Sequence, residues 1–232
     1  MLIAFEGQDG AGKTALLEAV HIELEQRGIE SVVVEEFSDS PYGQRLIDAV
    51  ARDKFLRPVA DEPATHLTRA LEEVTDLYYL DERVIGPAVR RGCVVLKDRH
   101  YATVLYTLVP TLVEARAVPD EDTALAWLRA LLTQLRHSPD VTVYVDAPLD
   151  IRLRRIEQCT RHLVEARANQ LSAADVRVFA QRDAVARRII REEHSRFFVI
   201  DNGNRPLMEG VQEIVEMVCT RRASTTAGEG DE

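Results

Sequence analysis

Residues Gly7 to Thr14 read G-Q-D-G-A-G-K-T, and this stretch limits what the chain can be more than any other. It fits the pattern G-x-x-x-x-G-K-[ST], and its surroundings are those the pattern requires. The apolar run LIAFE, from Leu2, reads as a strand leading into it. Behind it Leu17, Val20 and Leu24 form the apolar stripe of a helix that Gly28 is placed to end. Gly7, Gly10 and Gly12 let the backbone curl so that successive N–H groups point inward, at a helix N-terminus whose dipole favours anions. Lys13 would reach the β- and γ-phosphates of a nucleotide and the Thr14 hydroxyl would join a Mg²⁺ shell. Gly7, Gly10, Ala11, Gly12, Lys13, Thr14 and Ala15 are therefore the candidate ATP-binding set. Kinases, ATPases and GTPases share such a loop, so it identifies a donor and leaves the acceptor open.

Four further runs rich in β-branched and apolar residues follow: SVVVEE from Ser31, CVVLKD from Cys93, VTVYVDA from Val141 and FFVID from Phe197. Segments with helical spacing separate them, and strands alternating with helices read as βαβ units around a parallel sheet covered on both faces. The expected fold is α/β, a P-loop NTPase three-layer α/β/α sandwich with a five-stranded parallel sheet and a helical lid segment. Residues 62–91 read as a long helix that Pro87 kinks or breaks near its end. Leu125, Leu128, Leu132 and Leu135 mark another helix, stopped by Ser138-Pro139. Residues 152–196 read as helical and strongly basic, with a polar interruption at 169–172. The expected organisation is one kinase domain over 1–220 and a disordered tail, RRASTTAGEGDE, over 221–232.

Of the 232 residues 46% are apolar, enough for a sizeable core, and the formal charge of −10 disfavours a polyanionic partner. No Lys/Arg-rich block is present, so a nucleic acid polymer is not expected and an anionic ligand must be gripped by a few aimed donors. Cys93, Cys159 and Cys219 lack metal-ligand spacing and read as reduced thiols. Neither a secretory signal nor an apolar stretch long enough for a membrane span is visible, and a soluble cytoplasmic protein is expected.

Neither the N-K-x-D motif of a GTPase nor, outside the phosphate loop, its D-x-x-G switch occurs. The third strand ends in Asp98-Arg99 instead of the paired acids usual in translocating ATPases, and an acid beside a guanidinium suits a site that manages Mg²⁺ and a second phosphate together. Here the chain resembles the thymidylate kinase family of nucleoside monophosphate kinases. FEGQDGAGKT matches that family's phosphate loop, including Asp9, and VIGPAVRRGCVVLKDRH, from Val84, resembles its I-x-P-A-L-x-x-G-x-x-V-x-x-DRY stretch. VTVYVDAPLDIRLRRI and FAQRDAVARRIIREEHSRFFVID resemble its later strand and helices, so the likeness covers most of residues 2–201.

The resemblance implies that Asp9 faces the acceptor sugar, that Arg99 binds the acceptor's 5′-phosphate and that Asp98 lies near Mg²⁺. With Ala11 in the loop, the transition-state arginine would come from the lid, where Arg155, Arg161 and Arg167 are candidates. The implied catalytic set is Lys13, Asp9, Arg99 and Arg161, with Thr14 and Asp98 at the metal, ATP as donor, small nucleotides as substrates and a homodimer as the assembly. Three departures stand out. The family's R-E-P-G-G stretch is replaced by EEFSDSP, with Glu35 for the arginine, Phe37 for the proline and Glu36 keeping the acidic role. In the D-R-x-Q-H stretch that helps hold thymine, Leu77 takes the arginine position and Tyr79 the glutamine position, while Arg69 and Arg83 are possible substitutes. His100 replaces a tyrosine and reads as a packing or substrate-contact residue. Tyr78, Tyr79, Tyr101 and Tyr106 are possible base-stacking residues. The acceptor is expected to be dTMP; another nucleotide or small phosphate, or a regulatory module without turnover, remains open.

Overall fold

In the computed structural model, residues 1–158 and 171–228 are described. Five parallel strands form one sheet in the order β2-β3-β1-β4-β5: β1 Leu2–Glu6, β2 Ser31–Val34, β3 Val94–Asp98, β4 Val141–Asp146 and β5 Phe197–Asp201. All five expected strands are present. β2 is shorter than expected, because the Lys97 ammonium takes the carbonyls of Glu35 and Glu36, at 2.5 and 3.0 Å, and turns the chain off the sheet edge.

Alternation along each strand divides the core in two. Ile3, Phe5, Val94, Leu96, Val141, Val143 and Val145 face one side, under α1 (Lys13–Gln26) and α9 (Leu207–Gly228). Tyr144 faces the other side, under α3 (His66–Leu80), α5 (Tyr101–Glu114), α6 (Glu121–Leu132) and α8 (Ala173–Glu192). Burial on both faces is why these strands read as nearly continuous apolar runs. α2 (Pro41–Arg52) packs on α3, and α7 (Leu149–Gln158) follows β4.

The expected 62–91 helix is built in three pieces. Thr65 caps α3 through a reciprocal pair with Thr68, a π-helical turn spans Asp81–Ile85, and α4 covers Gly86–Arg90. Pro87 lacks an N–H and its ring crowds the carbonyl four residues earlier, so the chain widens by one residue just before it. Asp81, 1% exposed, holds the widened turn: it accepts from the backbone N–H groups of Arg136 at 2.7 Å and His137 at 3.2 Å, and pairs with His137 Nδ1 at 2.7 Å. α6 stops at Leu132 rather than running to Leu135, which packs against the core from the following turn.

The polar interruption at 169–172 ends in Ser172, the N-cap of α8. At the C-terminus α9 continues to Gly228, so helix extends past Arg221, where the disordered tail was expected to begin. Arg221 and Arg222 donate to the carbonyls of Asp140 and Gly92, tying that part of the helix to the end of the sheet. No helix among the described residues is long and apolar enough to cross a membrane.

Asp81→Ala should leave three donors at the π turn without their acceptor. The expected loss is about 2–4 kcal/mol of unfolding free energy, read from urea titrations of the wild type and the variant; an unchanged midpoint would show that the turn is held by something else.

Candidate active site

β1 lies at the centre of the sheet, and the loop Gly7–Gly12 leaves its C-terminal end where neighbouring connections diverge to opposite faces, the usual position of a ligand crevice. The loop is packed too tightly for side chains at two of its turns. A Cβ at Gly7 (φ 137°) would lie 2.4 Å from the Val145 carbonyl oxygen, and one at Gly10 (φ 76°) 2.5 Å from that of Arg152. Lys13 opens α1, is buried, and its Nζ lies 3.4 Å from the Gln8 carbonyl. Burial pulls its pKa down, Arg99 adds to this, and Asp98, Asp9 and Glu36 oppose it.

Thr14 Oγ1 donates to Asp98 Oδ2 at 3.4 Å, while Asp98 Oδ1 is buried without a hydrogen-bond partner among the described residues. One hydroxyl beside one carboxylate with a free oxygen fits a Mg²⁺ that takes its other ligands from water and substrate phosphates. Consistent with that, no group of three or more His, Cys, Asp or Glu able to cage a metal occurs among the described residues.

Arg99 follows β3 with a positive φ of 58°. Its guanidinium pairs with Asp9, donates to the Gly7 carbonyl and the Tyr106 hydroxyl at 3.2 Å each, and lies 3.2 Å from Glu36. Burial opposes ionisation of Asp9, but Arg99, Lys13, Arg182 and Arg152 outweigh it and hold the carboxyl at about 2. Asp9 and Arg99, assigned by resemblance to the acceptor sugar and phosphate, are thus brought together across the mouth of the loop.

Other expected residues are placed differently. Arg155 supports the loop from behind: it donates to the Gly10 and Ala11 carbonyls at 3.3 and 3.2 Å and to the Asn202 carbonyl at 2.8 Å. Arg161 and Arg167 lie outside the described residues. Arg69 is committed to Glu62 and Glu72, and Arg83 lines a separate cleft with Tyr42, Tyr78 and Tyr79. Tyr106 is a hydrogen-bonding post rather than a stacking ring, and Tyr101 donates to Glu193 at 3.0 Å. His100 is 2% exposed; burial and then Lys97 push its pKa down to about 3, so it is neutral and suited to packing or contact rather than to holding a catalytic proton.

Several buried polar groups of the site were given no role from the sequence. Glu6 accepts from the backbone N–H groups of His100 and Ala102 at 2.9 and 3.1 Å and from the Thr103 hydroxyl, joining the end of β1 to the start of α5. Arg152 reaches the Asp9 carbonyl at 3.2 Å and Asp183 at 2.8 Å, and Asp76 holds Ser38 through both its N–H and its hydroxyl. A polar residue inside an apolar run, as in LIAFE or VVLKD, is the signal that could have found Glu6 and Lys97.

A sequence model of thymidylate kinase matches residues 5–214. The chain belongs to the thymidylate kinase family. Among its relatives are a thymidylate kinase of Xylella fastidiosa (strain 9a5c), 32% identical over 67% of this chain and 65% of that protein. Another is a thymidylate kinase of Xanthomonas oryzae pv. oryzae (strain PXO99A), 33% identical over 67% of this chain and 60% of that protein. The matching stretch therefore spans less than two thirds of either relative's length. Within the thymidylate kinase frame, the loop that departs from R-E-P-G-G is fastened by Lys97, which also donates to the Asp98 carbonyl at 2.7 Å.

Burial lowers the Lys97 pKa from 10.5 to about 8. Between those values the unfolded chain holds a proton that the folded chain has released, so stability rises with pH across that window. Wild type should gain about 3 kcal/mol relative to Lys97→Met between pH 8 and 10.5, measured as the difference between paired urea titrations; parallel curves would refute the buried, destabilised ammonium.

Proposed function

We propose that this protein is a Mg²⁺- and ATP-dependent nucleoside monophosphate kinase that phosphorylates dTMP to dTDP. The observation that carries this reading is the convergence of Lys13, the partnerless Asp98 oxygen and Arg99 on one loop mouth, in a chain of the thymidylate kinase family. An oxygen of the acceptor's 5′-phosphate attacks the γ-phosphorus of ATP in line; the new P–O bond forms as the bond to the β,γ-bridging oxygen breaks, and ADP leaves.

The loop N–H groups and Lys13 hold the β- and γ-phosphates. Arg99 releases part of its hold on Asp9 and Glu36 to grip the acceptor phosphate, and Asp9 turns to the sugar. Bound at Thr14 and Asp98, Mg²⁺ would neutralise charge between the β- and γ-phosphates. Arg161 is the proposed transition-state cation from the lid, a segment whose closure would exclude water. The protein acts on free nucleotides in the cytoplasm. Ile47 and Val50 on α2 and Leu67 and Leu71 on α3 are exposed apolar side chains on two packed helices, and this face is the proposed homodimer interface.

ADP release from ATP and Mg²⁺ should be strongly stimulated by dTMP, against dUMP, dCMP, dGMP, dAMP, UMP and CMP and a no-acceptor control. Lys13→Ala is expected to lower kcat by about 100-fold or more. Stimulation by none of the acceptors, with ATP still bound, would turn the reading toward a regulatory module. Leu71→Glu should shift the sedimentation profile to monomer, and an unchanged profile would remove the interface from that face.

A further inference from the structure

Beside Arg99 a narrow cleft opens between α3 and the start of α5, lined by Phe37, Leu77 and Val104 on its apolar walls and by Glu73 and His100. The cleft encloses about 30 Å³, so a flat ring enters between its apolar walls only once Arg99 and Glu36, which line it, move apart, and Arg99 at its edge fixes where an acceptor phosphate would sit. The family's base-reading arginine falls at Leu77, which has no polar atom to offer. The polar atoms left to face a base belong to two deeply buried residues. Glu73 is 7% exposed and its Oε1 has no hydrogen-bond partner among the described residues; His100 is 2% exposed and both its ring nitrogens lack one there. Other acids lining the cleft are already engaged, Asp76 with Ser38 and Glu36 with Arg99. An orphaned carboxyl buried this deeply is costly unless a ligand completes it.

We propose that Glu73, as a neutral carboxylic acid, reads the imide edge of the acceptor's pyrimidine base: its C=O accepts the ring N3–H and its O–H donates to the adjacent carbonyl. This rests on the kinase reading above and names the residue that pairs with the base within it. A carboxylic acid offers one donor and one acceptor side by side, so it can make this pairing without a cation. A carboxyl kept neutral in an apolar site so that it can donate is an established device.

The charges facing Glu73 come from every side of the cleft: Arg69 on its own helix, Glu36 after β2, Arg99 after β3 and Arg182 on α8. Burial, helped by Glu36, outweighs the three arginines and lifts the Glu73 carboxyl to about 8. Arg69 is turned toward Glu62 and Glu72, and Arg182 toward the Phe55 carbonyl at 3.1 Å, so neither supplies Glu73 with a hydrogen bond. At neutral pH the acid form therefore predominates, and above about pH 8 an ionised Glu73 would set its charge against the base carbonyl.

The test is dTMP binding by calorimetry, with KM and kcat alongside, from pH 7 to 9 for wild type, Glu73→Gln and Glu73→Ala. In wild type the affinity for dTMP should fall about tenfold over that range, in Kd and KM rather than in kcat, following the loss of the acid form. Glu73→Gln, which offers the same donor and acceptor but cannot ionise, should bind about as tightly as wild type at pH 7 and give a flat profile. N3-methylated dTMP, lacking the imide N–H, should bind wild type at least about tenfold more weakly than dTMP and show no such penalty with Glu73→Ala. An unchanged ATP affinity and a melting temperature no lower than that of wild type, expected in both variants, separate this from misfolding.

Equal pH profiles in wild type and Glu73→Gln, or tight binding of the N3-methyl compound, would each overturn the proposal. If dTMP binds with the expected profile but no acceptor stimulates ADP release, the kinase reading fails and the base-reading role stands. If dTMP does not bind at all, both fall.

Discussion

Arg99 leaves β3 in a left-handed backbone conformation, and its guanidinium reaches the Gly7 carbonyl, the Tyr106 hydroxyl, Asp9 and Glu36. Three segments, the phosphate loop, the turn after β2 and α5, are fixed relative to one another by that one side chain. The positive φ costs of order 1 kcal/mol or more for a residue with a Cβ, so it persists because the surroundings determine it. Arg99 N donates to the Phe5 carbonyl at 2.9 Å, and the next N–H groups are taken by Glu6. A fixed, planar donor at the end of a central strand is what bidentate recognition of a phosphate requires.

The same crevice holds charge that would be intolerable if uncompensated. Lys97 and Glu6 are both fully buried at the ends of neighbouring strands, and each is stabilised by three or more hydrogen bonds from the protein. Burial still raises the Glu6 pKa and lowers that of Lys97, so neither is a neutral bystander in the electrostatics. Their work is positional. Glu6 sets the start of α5 against β1, and Lys97 fastens the Glu35–Glu36 turn so that Glu36 meets Arg99.

How far this was legible in the sequence depended on whether a residue's role was local. The phosphate loop was legible because a tight left-handed turn admits few residues, and strand, turn and helix follow one another within 26 residues. The five strands were legible because a sheet covered on both faces needs continuous apolar runs. The contacts of Arg155 with the Gly10 and Ala11 carbonyls were not legible, since a basic helix looks the same from the sequence whether or not it touches the loop. Glu73 and Asp76 were not singled out as site residues because α3 carries many charges, and only the packing of α5 and α8 shows which of them are buried. The helix boundary past Arg221 escaped notice because its ties, to Asp140 and Gly92, are long-range.

The departures from the family pattern form a connected set. Placing Lys97 in β3 supplies a cation beneath the turn where the R-E-P-G-G arginine is missing, and it binds backbone carbonyls, so the side chains of that turn are free to change. Glu36 can then serve Arg99 while Phe37 contributes an apolar wall to the cleft. With Leu77 at the position where the resemblance places an arginine, the cleft lacks one source of stabilisation that an ionised Glu73 would otherwise have. Loss of the arginine and retention of a neutral carboxyl are then two sides of one electrostatic change, because a cation placed beside Glu73 would favour its ionised form and destroy the donor that the cleft offers.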